Sequence, residues 1–80
     1  MNLLEDVRKY VREKNLSYVS KVDMIKNKVV VYYNDNEKHD INSIFPEVVG
    51  IPAKGGAFIA GDKVIIIDDT EKLASYMNKK

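Results

Sequence analysis

Lys28-Val29-Val30-Val31-Tyr32-Tyr33 is the most strongly β-forming run of the chain. β-branched and aromatic side chains fit a pleated surface and crowd a helix. The run is too short for a helix and shows no apolar–polar alternation, so it predicts a central strand covered on both faces. A central strand needs neighbours. Upstream, Leu16 to Ile25 alternates: Tyr18, Ser20, Val22 and Met24 fall on one parity, and Val19, Lys21 and Asp23 on the other. That pattern predicts a half-buried strand joined through a tight turn at Lys26-Asn27, asparagine tolerating positive φ. Downstream, Asn34-Asp35-Asn36-Glu37 reads as a second turn, and Lys38 to Ile41 as a short returning strand. Together they predict a three-stranded meander over residues 17–41.

A second hairpin is expected around Gly61-Asp62, which separates Ala57-Phe58-Ile59-Ala60 from Lys63-Val64-Ile65-Ile66-Ile67. Between meander and hairpin, Asp40 or Asn42 can cap a helical turn holding Ile44 and Phe45, and Pro46 limits it, opening another turn at 47–49. Residues 50–56 gather Gly50, Pro52, Gly55 and Gly56 and read as a loop. Helices flank the strands. Leu3, Leu4, Val7, Tyr10 and Val11 form one apolar stripe over 3–14, with Asn2 as cap, Glu5 completing a capping-box pair and Asn15 suited to a left-handed stop. Leu73, Ala74, Tyr76 and Met77 form another over 70–78, with Asp68 and Glu71 as its cap pair and Lys79 and Lys80 at its negative end. The expected fold is α+β: one domain over 1–80, an antiparallel sheet of about five strands in the order α-β-β-β-short α-β-β-α, with helices packed on one face. Lys28-Val-Val-Val-Tyr-Tyr and Lys63-Val-Ile-Ile-Ile-Asp echo each other 35 residues apart. A duplication would give such a pattern, but two buried strands after two turns converge on it easily.

Composition excludes more than it selects. Eighty residues give one small domain. The absence of cysteine removes disulfides, thiolate metal sites and a cysteine nucleophile, and the single histidine removes any site that needs two imidazoles from one chain. The longest apolar runs are four or five residues, against about 20 for a membrane span. Met1 to Asp6 lacks a basic stretch followed by an apolar core, so no secretory signal is expected there. A soluble cytoplasmic protein with no membrane association is the expectation. The net charge of +1 divides into a basic first part and an acidic remainder. Residues 1–33 carry seven basic and four acidic groups, a net of +3; residues 34–80 carry six and eight, a net of −2.

Lys54-Gly55-Gly56 is a candidate anion or ligand loop, since adjacent glycines let the backbone approach a ligand. A strand rather than a helix follows it, however, and its spacing matches no nucleotide-binding pattern. Asp68, Asp69 and Glu71 could share a cation, but helix capping accounts for all three, so no metal site is assigned. His39 and Asp40 are neighbours in an expected strand and so face opposite ways, and no catalytic residue is assigned. Arg8 and Arg12 form one helical ridge; with Lys14, Lys21 and Lys28, and Tyr32 for stacking, they make the candidate nucleic-acid surface. Glu5 and Glu13 interleave with these bases. A chain this small has little surplus of burial over ordering entropy, which favours a partner. The sequence therefore predicts a non-enzymatic, cofactor-free accessory or regulatory module binding a protein partner or forming a homodimer, with nucleic-acid association as the alternative.

Overall fold

The computed structural model describes residues 2–46, 48, 50, 51, 53–59 and 61–78, for 54–58 the backbone alone. The element order is α1 (Leu3–Glu13), β1 (Val19–Ile25), β2 (Lys28–Tyr33), α2 (Ile41–Ile44), β3 (Ala53–Ile59), β4 (Asp62–Ile67) and α3 (Thr70–Asn78). The strands form one antiparallel four-stranded sheet in the order β1-β2-β4-β3. The class is α+β, as expected, and Lys28–Tyr33 is a central strand.

Local chemistry sets the ends of α1. The Asn2 side chain accepts the Glu5 N–H, and Asn15 closes the helix at φ 55°. Asn15 N–H donates to Arg12 O and Leu16 N–H to Val11 O, the paired bonds of a Schellman stop. Lys26 and Asn27, at φ 50° and 62°, turn β1 into β2 with both residues left-handed. The cap of α3 is Asp69 rather than Asp68: its carboxylate accepts the Lys72 N–H at 3.0 Å. Asp68 instead pairs with Lys28 at 3.2 Å.

Three expectations need correction. The returning strand at 38–41 does not form, and the sheet has four strands among the described residues. β2 has two edges; β1 takes one and β4 the other, so no ladder is open to residues 38–41. Asp40 caps α2 instead, accepting the N–H groups of Asn42 and Ser43, while Ser43 Oγ accepts the Asp40 N–H in a reciprocal box. Lys54, Gly55 and Gly56 are not in a loop: they lie within β3, which pairs along β4 with a register shift between Gly55 and Ala57. Glycines in a strand often mark such an irregularity. Asp62 is the first residue of β4 rather than a turn residue. The expected turn at 47–49 and the roles of Pro52, Ala60, Lys79 and Lys80 involve positions outside the described residues.

The main core lies between one sheet face and all three helices. Val22, Val29, Val31, Tyr33, Ile65 and Ile67 from the sheet meet Val7 and Tyr10 of α1, Ile41, Ile44 and Phe45 at α2, and Leu73 of α3. Phe45 links the helices through its ring, 4.9 Å from Tyr10 and 5.5 Å from Tyr76 between centroids. The opposite face buries a smaller cluster, Val30, Tyr32 and Val64, with Ile59 and Ile66 against it. Lys21 covers the Tyr32 ring at 4.5 Å. Ile25, at 39%, is the only large hydrophobic residue that is exposed among the described residues.

The register explains the 35-residue echo. Val31 pairs with Ile65 and Tyr33 with Lys63, so Lys63 shares a sheet face with Val31. Lys28 alternates with Val29 and so lies on the other face. The two runs are therefore out of phase by one residue, as strands meeting the same burial demand would be, and not repeats that superpose. Burial at the central pair is expected to dominate stability. Ile65→Ala should cost about 3 kcal/mol in urea unfolding, and the partly buried Ile66→Ala about 1 kcal/mol. Equal losses would mean that both faces are packed equally.

Candidate functional site

The densest polar constellation lies at the open end of β2, where the chain leaves the sheet. Tyr33 is the last residue of that strand and is fully buried. Its hydroxyl accepts the His39 N–H at 3.2 Å and donates to His39 O at 3.5 Å. Residues 34–39 thus form a loop pinned to the strand that precedes it. Lys63, from the start of β4, pins the loop's other side: its ammonium donates to Asp35 O at 2.9 Å and Glu37 O at 3.5 Å.

These anchors fix the His39 ring. Tyr18, in the turn before β1, stacks on it with centroids 4.0 Å apart and planes 5° from parallel. Tyr33 meets it edge-on at 5.0 Å. The imidazole Nε2 lies 2.9 Å from Asp35 Oδ2, with side-chain exposures of only 12% for His39 and 31% for Asp35. Glu37 completes the group: ligand atoms of Asp35, Glu37 and His39 all lie within 4.8 Å of one another. The Tyr18 hydroxyl donates to Ser43 O at 3.2 Å, linking the cluster to α2.

Two groups of this cluster have shifted titrations. The hydrogen bond from His39, and then the Glu37 N–H, hold the Asp35 carboxyl below its ordinary value of 3.8. Burial, reinforced by the nearby Asp35 charge, pushes the Tyr18 phenol above 10.0, so it stays neutral and donates. No hydroxyl nucleophile is presented to His39 among the described residues: Ser43 Oγ serves the α2 cap.

The residues singled out in the sequence are dispersed. Arg8 gives Nε and Nη2 to Val22 O at 3.1 and 2.9 Å and Nη1 to Glu5 at 3.2 Å, so it ties α1 to β1. Arg12 and Lys14 are exposed near the end of α1, with Lys14 lying 5.8 Å from the Tyr10 ring centroid. Lys21 sits over Tyr32, which is 5% exposed and offers no open ring face for a base to stack on. Lys28 is paired with Asp68. Lys54, Gly55 and Gly56 are residues of strand β3. His39 pairs with Asp35, four residues back, rather than with Asp40. The i, i+2, i+4 spacing of Asp35, Glu37 and His39 was the available signal, hidden because it straddles an expected turn and an expected strand.

Asp35 sets a pH dependence. A carboxyl lowered in the folded state contributes stability that is complete above its unfolded pKa and is lost as pH falls through the folded value. The stability difference between the parent and Asp35→Asn should therefore shrink as pH falls below about 4. Urea midpoints measured across that range check this; a difference that does not change with pH would refute it. No family model, curated protein or solved structure matches this chain.

Proposed function

We propose that this protein is a non-enzymatic binding module, an accessory or regulatory domain that takes a partner strand along the β3 edge of its sheet. The observation that carries this reading is the inequality of the two edges. α1 packs along β1, and Arg8 occupies the Val22 carbonyl of that strand. β3, among the described residues, pairs with β4 alone. An edge strand offers a row of backbone donors and acceptors that an extended segment can complete. Gly55 and Gly56, lacking Cβ atoms, let a second backbone approach closely. The register shift between Gly55 and Ala57 divides the edge into short runs, which suits a transient contact better than a permanent one.

The partner strand comes from another protein or from β3 of a second copy, the latter an isologous pairing that extends the sheet. Nucleic-acid association through Arg8, Arg12, Lys14, Lys21, Lys28 and Tyr32 has less behind it, since Arg8, Lys28 and Tyr32 are already engaged within the fold.

Sedimentation of the purified chain, followed by amide exchange on whatever complex it forms, tests the reading. Complex formation should protect the amides of Ala53–Ile59. Gly56→Lys, which adds a charge to the edge, should weaken the complex at least about tenfold while leaving the circular dichroism unchanged. A complex that Gly56→Lys leaves intact, or protection confined to other elements, sinks the proposal.

A further inference from the structure

We propose that Asp35, Glu37 and His39 bind a divalent transition-metal ion of the zinc type. One imidazole nitrogen and two carboxylates converge within 4.8 Å. In a tetrahedral zinc site with metal–ligand bonds of about 2.0–2.2 Å, ligand atoms sit about 3.4 Å apart. His39 Nε2 and Asp35 Oδ2, at 2.9 Å, are already that close. Glu37 need close at most about 1.4 Å of separation, and it is free to do so: it is exposed, and its structural hydrogen bonds run through its main-chain N–H and carbonyl.

The remainder of the cluster is organised in advance. Stacked Tyr18 and edge-on Tyr33 hold the imidazole plane. Tyr33 grips the His39 backbone, and Lys63 grips the carbonyls of Asp35 and Glu37. The rigid ligand is therefore the nitrogen, and the adjustable one is the exposed carboxylate. Nitrogen in a set of three donors favours zinc, cobalt or nickel over calcium, which takes about 6–8 oxygens, and over magnesium, which keeps its waters. Three protein ligands leave a coordination position for water or for a group from a partner.

Two terms limit the affinity. The metal must replace the hydrogen bond between His39 and Asp35, and the Lys63 ammonium nearby opposes a second cation. A dissociation constant of about 10–100 µM is the expected outcome.

Glu37 separates a metal site from a purely structural hydrogen bond, because the Asp35–His39 pair does not use its carboxylate. Cobalt(II) titrated into the full chain should bind at one equivalent, giving visible absorption of a four- or five-coordinate ion, with amide shifts centred on residues 35–39. Zinc should displace it. Glu37→Gln should raise the dissociation constant at least about tenfold with unchanged circular dichroism. His39→Gln should abolish binding, and Glu71→Gln, on α3, should bind like the parent. The proposal is overturned by a failure to saturate below about 1 mM cobalt, or by parent-like binding in Glu37→Gln.

Discussion

The antiparallel pairing of β2 with β4, centred on Val31 and Ile65, is the constraint on which the rest of the molecule depends. It joins the two hairpins and places the two most β-prone runs of the chain side by side. Val29, Val31, Tyr33, Ile65 and Ile67 then form one apolar face broad enough to seat three short helices. Val30, Tyr32 and Val64 are buried on the other face, where α1, α2 and α3 contribute nothing to the cluster. Ile59, Ile66 and the Lys21 side chain pack against it there, consistent with a small twisted sheet whose neighbouring side chains lean over its centre.

The same pairing builds the polar cluster. Because β4 lies beside β2, Lys63 at its start reaches the loop that leaves the end of β2. Tyr33 faces the core yet keeps its hydroxyl at the rim, where it holds the His39 backbone. One pairing thus governs both the hydrophobic core and the orientation of the only imidazole in the chain. The cluster is a product of the fold's geometry rather than of a contiguous motif.

Arg8 shows how a charged ridge can mislead. Read on a helix, Arg8 and Arg12 form a basic surface available to an anion. In the fold, the Arg8 guanidinium is spent on a main-chain carbonyl of β1 and on Glu5, so it works as a clamp between helix and edge strand. That clamp leaves β3 as the contrasting edge, and it is why the proposed partner is assigned there. Among the large apolar side chains described only Ile25 is exposed, which moves the case for a partner away from an incomplete core and onto backbone edges.

Features controlled by near neighbours along the chain can be read directly from the residues. The apolar stripe of α1, its Asn2 and Asn15 ends, the left-handed turn at Lys26-Asn27, the buried character of Lys28–Tyr33 and the Asp40 cap are all legible because each rests on contacts within a few residues. The tertiary structure decided which strand lies beside β2, and with it the absence of a strand at 38–41 and the fate of Lys54–Gly56 in β3. It also decided that His39 meets Asp35, Tyr18 and Lys63-anchored carbonyls rather than Asp40. The physical reason is separation: a strand's ladder has only two edges, and which segments win them is settled by competition among residues 30 or more positions apart, a term that local propensity and periodicity do not contain.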